Sequence, residues 1–257
     1  MIAAYDKERF SLLCQDICSD VCAEGEGIGT YNEKYFHKVL KSFLCEDESC
    51  FEVKVGKYFA DVLCDGQITE IQTGRFYPLR NKIKYYLENT DLSVRIVHPM
   101  ICKKSIIRVD KNSGEILRKR VSPKRKSAKD VLPELFWLSD SICSERLSIE
   151  ILLISAVEHR YSDVKVRYRK SGAYDSKTFP ESLEDSYLIV DTNDLVSLID
   201  ADLIKKEGGF TAAEFGKAMG FRGRKVYAAL GALCTAGILK KSEKQGRAAA
   251  VYALNKA

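Results

Sequence analysis

An α/β (α+β) fold, with helices flanking one mixed sheet and a small basic helical module at its end, is predicted by three observations. Amphipathic helical spacing alternates with short strand-like runs over the first half of the chain. One Asp-Gly pair sits between two such runs. Positive charge concentrates in the last 53 residues, where eight lysines and three arginines face three glutamates, a balance of 11 − 3 = +8 in a chain of net charge +5, so residues 1–204 carry about −3. A basic module on a mildly acidic body suggests that the module meets a polyanion. The division predicted is residues 1–204 and residues 205–257, since 257 residues exceed the usual single-domain size.

Residues 6–23 place Phe10, Leu13, Ile17 and Val21 on one helical side, and Gly25, Gly27 and Gly29 break the pattern. Asn32 caps a second predicted helix over 33–44, with Tyr35, Phe36, Val39, Leu40 and Phe43 as its stripe. Residues 51–55 alternate as a strand. Residues 57–63 and 67–73 then read as a hairpin through Cys64-Asp65-Gly66-Gln67, with Asp-Gly in a type I′ turn. A two-residue loop fixes the register: Cys64 faces Gln67, Leu63 faces Ile68, Val62 faces Thr69 and Asp61 faces Glu70, with Gln72 on the same face. Carboxylates directly opposite each other repel, and a divalent cation with hard oxygen ligands would offset that. A solvated hairpin with two unrelated acids is the alternative.

A helix over about 77–88, a strand over 92–97 ending at His98-Pro99, a further strand over 101–109 and a turn at 112–114 follow. Residues 119–129 form a basic loop, solvated or in contact with phosphate. Residues 130–141, with Trp137, look helical; 147–158 and 164–168 read as strands. Near the end, Thr211 caps a helix over 212–219 closed by Gly220, a second helix spans 222–236, and 238–241 and 249–254 alternate as two strands. Helix, turn, helix and basic hairpin is the layout of a winged helix, which would present Arg222, Arg224 and Lys225 to a DNA groove and Lys244 and Arg247 to phosphate. A protein-contact module is the alternative use of that layout.

No apolar run is long enough to cross a bilayer, and the first residues lack an export signal, so a cytoplasmic location is expected. Nine cysteines without a paired framework read as reduced thiols. Cys14, Cys18 and Cys22 recur every four residues and read as small apolar residues facing a core. Cys45 and Cys50 flank an acidic loop and do not read as metal ligands. His98 reads as an ordinary hydrogen-bonded histidine, and as a proton donor near the cleft in the sharper alternative.

Tyr58-Phe59-Ala60-Asp61, Glu70-Ile71-Gln72-Thr73 and the helix segment Leu79-Arg80-Asn81-Lys82 resemble the PD-(D/E)XK nuclease superfamily, over about residues 32–99 of a core extending to about 110. The resemblance is to a bacterial branch in which a restriction-endonuclease-like core precedes a winged helix. It implies a Mg²⁺ or Mn²⁺ site held by Glu33, Asp61, Glu70 and the main-chain carbonyl of Ile71. Gln72 stands where the superfamily usually has lysine, so it orients water or phosphate only by hydrogen bonds; glutamine occurs there in some active members. Lys82 is the candidate to supply the missing charge. Thr73, Arg75 and Arg80 lie where a substrate backbone could run. The resemblance implies a metal-dependent endonuclease hydrolysing phosphodiester bonds of duplex DNA, and a homodimer by analogy. The alternatives are a DNA-binding regulator whose nuclease-like body has lost activity, and an adaptor in a phage-defence or mobile-element system.

Overall fold

The computed structural model describes residues 4–23, 31–162, 175–242 and 249–255. Its first elements are α1 (Ala4–Ala23) and α2 (Tyr31–Leu44), followed by β1 (Phe51–Val55), β2 (Tyr58–Cys64) and β3 (Gln67–Ile71). Both connections between these strands are two-residue turns. Asp65 and Gly66 have φ of +49° and +74°, as a type I′ turn requires, and the register Val62–Thr69, Leu63–Ile68, Cys64–Gln67 is the one counted from the sequence. After a 3₁₀ turn at Tyr77–Leu79, α3 (Arg80–Asn89) crosses over the sheet to β4 (Ser93–Asp110), which pairs parallel to β3. The expected order of helix, three antiparallel strands, helix and strand is therefore observed.

One correction concerns β4, expected as two strands divided at His98-Pro99. It is a single 18-residue strand. Gln72 donates to the Val97 carbonyl and Val94 donates to the Arg146 carbonyl, so odd-numbered residues of this stretch face β3 and even-numbered ones face β6 (Leu147–Ser162). Pro99 thus turns its donorless nitrogen toward the β3 side, two residues beyond the last β3 pair, Ile71–Val97, and the Gln72 carbonyl that an N–H there would meet contacts His98 Nδ1 instead.

β5 (Ile116–Val121) pairs with the far end of β4, so the first three residues of the basic stretch at 119–129 are strand. The predicted helix at 130–141 is instead two 3₁₀ turns, Ala128–Val131 and Leu135–Leu138, separated by Pro133. β6 runs parallel to β4, and β7 (Asp175–Ile189), which the sequence did not suggest, pairs antiparallel to β6. The strand expected at 164–168 lies outside the described residues. The sheet order is β1-β2-β3-β4-β6-β7 with β5 on β4.

Both faces of this mixed sheet are covered, as parallel strands demand. Phe10, Cys14 and Ile17 of α1 and Phe36, Val39 and Leu40 of α2 pack on Ile71, Val97 and Leu152; Cys14 is thus a core residue, while the Cys18 and Cys22 side chains lie outside the described residues. Ile83 and Tyr86 of α3 pack on Ile68, Val94 and Ile96 of the other face. The C-terminal end of α3 is pinned by Arg146, whose guanidinium donates to the carbonyls of Thr90 (2.5 Å), Leu92 (3.2 Å) and Leu87, a cation where the helix dipole favours one.

Two short helices, α4 (Thr192–Ser197) and α5 (Ala201–Lys205), lead to β8 (Phe210–Thr211), α6 (Ala212–Met219), α7 (Arg224–Thr235), β9 (Leu239–Lys241) and β10 (Val251–Leu254). Thr211 caps α6 and Gly220 closes it at φ +74°, both as expected, and Glu214 makes the cap a reciprocal capping box. β8, β10 and β9 make a three-stranded sheet. Gly209 permits it: a Cβ there would lie 2.4 Å from the Tyr252 carbonyl oxygen, and φ is +80°. Leu135 and Leu138 continue the hydrophobic cluster of the large sheet into Val226, Leu230 and Leu233 of α7, so the core runs unbroken across residue 204. Among the described residues no helix is long and apolar enough to cross a membrane.

Candidate functional site

The candidate site forms where β2 and β3 part. Their ladder ends at Val62–Thr69, one step short of the expected Asp61–Glu70 pair, and the Asp61 carboxylate fills the gap by accepting the Ile71 backbone N–H at 2.7 Å. In a strand the N–H and C=O of one residue point to the same side. The Ile71 carbonyl therefore also faces β2. On the other flank a regular β1–β2 ladder would set Glu52 directly across from Asp61, and like charges so placed destabilise a sheet. The ladder skips that pair: Glu52 takes a φ of +51° and its carboxylate pairs with Lys41.

Glu70 lies in the buried part of β3, with 1% of its surface exposed. Its Oε2 accepts from Lys82 Nζ at 2.6 Å; its Oε1 and the Tyr86 hydroxyl are both buried with no hydrogen bond of ordinary length, and the two groups lie close enough that Tyr86 hydrogen bonding favours the charged Glu70. Burial pushes the Glu70 carboxyl up to about 7, against the attraction of Lys82, with the Asp61 charge adding to the rise. The Tyr86 phenol is raised by burial and by the Glu70 charge beside it. Asp61, Glu70 and Lys82 are thus brought together, and Lys82, partly buried, is an ion-pair partner and not a solvent-facing helix lysine.

The other expected residues divide. Gln72 turns away: its amide donates to the Arg75 carbonyl at 2.8 Å, while its own carbonyl contacts His98 Nδ1. The role of orienting water expected of Gln72 is not supported by this placement, because one of its two amide N–H donors is held by the following turn and the side chain is drawn away with it. His98 is 5% exposed, edge-on to Phe76 at 5.0 Å, and burial pulls it down to about 4, so it is a neutral core histidine and no proton donor to the cleft at neutral pH. Arg80 is held by Asp140 at 2.7 Å; Thr73 is half-buried and Arg75 exposed. Glu33 belongs to α2, but its side chain lies outside the described residues, as do Lys244 and Arg247. Arg224 and Lys225 are exposed in the first turn of α7, whereas exposed Arg222 precedes the helix, which starts two residues later than expected because Gly223 is its cap at φ +56°.

Tyr86 was not singled out from the sequence, although its spacing of four from Lys82 on a helix puts both on one face. The three sulfurs of Cys45, Cys50 and Cys64 were also missed as a group; they lie within 4.8 Å of one another and could hold a metal ion, although Cys45 and Cys50 did not read as ligands. The signal was available. The two-residue turn at Gly56-Lys57 pairs Val55 with Tyr58 and Phe51 with Val62, and one further step brings Cys50 beside the end of β2.

A curated protein of Treponema pallidum (strain Nichols), named only as an uncharacterized protein, is 31% identical over 153 residues, 58% of this chain and 60% of that protein. The chain thus matches less than two thirds of the length of that relative. No solved structure matches. A family described as a domain of unknown function matches residues 34–190, a span that includes Asp61, Glu70, Lys82 and the three clustered cysteines and stops short of the basic C-terminal module. On that match, which covers more than half of its length, the chain belongs to the DUF8091 family.

Proposed function

We propose that the chain is a metal-dependent DNA nuclease of the PD-(D/E)XK type, its body restriction-endonuclease-like and its C-terminal module a winged helix that engages duplex DNA. The observation that carries this reading is the meeting of Asp61, Glu70 and Lys82 at the open end of the β2–β3 ladder, with Glu70 Oε1 buried and only the Tyr86 hydroxyl near it. A buried carboxylate oxygen short of well-formed donors is costly and suits a cation ligand.

The residues fit a Mg²⁺ or Mn²⁺ ion: the Asp61 and Glu70 carboxylates and the Ile71 carbonyl are hard oxygen donors on one side of the parted strands, with Glu33 a fourth candidate on α2. When bound, the ion would lower the pKa of a coordinated water and neutralise charge on the phosphate. The chain does the rest. Ile71 N–H fixes the Asp61 carboxylate, and Lys82 places positive charge beside Glu70, where negative charge develops on a phosphate in hydrolysis. In this reading Lys82 on the helix supplies the cation that Gln72 on the strand lacks. Exposed Arg224 and Lys225 on α7 offer phosphate contacts, and Arg222 adds a third just before them.

The second reading is a DNA-binding regulator with a silent site. It is favoured by the commitment of Gln72 to the Arg75 carbonyl and by the direct Lys82–Glu70 ion pair. Cleavage of plasmid, linear, single-stranded and branched DNA in Mg²⁺ and Mn²⁺ separates the two, with Asp61→Ala, Glu70→Ala and Lys82→Met beside the unaltered chain. Metal-dependent cutting that all three substitutions abolish is the expected result. Intact DNA binding with no cutting on any substrate transfers the conclusion to the regulator.

A further inference from the structure

Cys45, Cys50 and Cys64 come from three separate pieces of chain. Cys45 directly follows α2, its N–H bonded to the Lys41 carbonyl at 2.9 Å; Cys50 ends the 3₁₀ turn Glu48–Cys50; Cys64 is the last residue of β2, beside the Asp65-Gly66 turn. The intervening loop is held in shape by Asp47, whose side chain accepts from Ser49 N at 2.9 Å and whose carbonyl takes the Cys50 N–H at 3.1 Å and the Cys45 thiol at 3.5 Å. Cys45 is buried, while Cys50 and Cys64 are partly exposed, so the cluster is open to an ion from solvent.

We propose that these three cysteines form a trithiolate site for a thiophilic divalent cation, zinc, which ties the end of α2 and the acidic loop to the tip of the β2–β3 hairpin. The sulfurs already lie within 4.8 Å of one another, and tetrahedral zinc with bonds of about 2.3 Å separates its sulfurs by about 3.8 Å, so capture needs each pair to close by about 1 Å or less. Three thiolates select a soft ion over Mg²⁺ or Mn²⁺, which makes this site chemically separate from the carboxylates of Asp61 and Glu70. Glu46, Asp47 and Glu48 between the first two ligands add negative charge that favours a cation. Asp65 Oδ2 is 3.5 Å from Cys64 Sγ but does not close on all three sulfurs, so the fourth position falls to water. The site is therefore exchangeable, unlike a closed four-ligand structural site. Its consequence is mechanical: α2, which carries Glu33, and the hairpin, which carries Asp61 and Glu70, become linked through one ion.

The test uses the full reduced chain. Cobalt(II) should bind with one-to-one stoichiometry, giving thiolate charge-transfer absorption and the visible bands of tetrahedral cobalt, and zinc should displace it. The triple variant Cys45→Ser/Cys50→Ser/Cys64→Ser should lose these bands, whereas Cys143→Ser/Cys234→Ser should keep them. Because the triple variant could fail to fold, alkylation of the unaltered chain provides a second measurement. One equivalent of zinc should slow modification of Cys45, Cys50 and Cys64 by about tenfold or more, leave exposed Cys143 unchanged, and be reversed by a chelator. Absence of cobalt bands in the reduced chain, protection of other cysteines, or protection that persists without metal as a disulfide would give, overturns the proposal.

Discussion

Replacing Glu70 by glutamine should make the metal-free chain more stable relative to the unaltered protein as pH rises, because Glu70 is held in a place that disfavours its charge. Burial raises its carboxyl from 4.5 to about 7 even with Lys82 beside it. The folded state therefore holds its proton more tightly than the unfolded chain does. Stability from this group is complete below pH 4.5 and is lost as pH climbs to about 7. At about 1.4 kcal/mol per tenfold change in acidity constant, the loss is about 3 kcal/mol across that window. Glu70→Gln removes the titration and with it the loss. Urea denaturation at several pH values between 4.5 and 8.5, in a chelator, should show the stability of the variant gaining about 3 kcal/mol on that of the unaltered chain, with the change confined to the acidic side of neutrality. Added Mg²⁺ at pH 8 should stabilise the unaltered chain by binding its folded state and leave the variant unmoved. A difference between the two proteins that stays constant from pH 4.5 to 8.5 would show that Glu70 is not a destabilised buried acid, and the argument for a cation at its Oε1 would fail with it.

Lys82→Met should cost about 2 kcal/mol at pH 8, where it strands an ionised Glu70, and far less at pH 4, where that acid is protonated; paired urea curves test both arms. Gly209→Ala should destabilise the C-terminal module by about 3 kcal/mol, because the new methyl must displace the Tyr252 carbonyl and the backbone sits at φ +80°; a thermal melt would register it. Arg224→Ala/Lys225→Ala should weaken duplex binding on all sequences alike and flatten the log–log salt dependence by about 2, read by fluorescence anisotropy; an unchanged slope would remove α7 from the interface.

The hairpin was legible residue by residue because its turn fixes the register and its chemistry is local: Asp65-Gly66 supplies two positive φ values, and the three pairs counted outward from it are the pairs observed. Helix α6 was legible for a similar reason, with Thr211 and Gly220 marking its ends. What escaped was set by partners distant in sequence. Pro99 is a local stop signal, yet β4 passes through it because β3 has already ended on that side. β7 carries Pro180 and many polar residues, and is a strand because β6 offers it an edge and α1 covers it. The candidate site divides along the same line. That Asp61 and Glu70 belong together follows from the turn, but the arrival of Lys82 depends on how α3 crosses the sheet, a placement fixed by Ile83 and Tyr86 in the core and by Arg146 at the far end of the helix. A cation carried on a helix can reach a strand carboxylate only if that helix is held, so Arg146, though remote from the carboxylates, is a positioning residue for the ion pair on which the site turns.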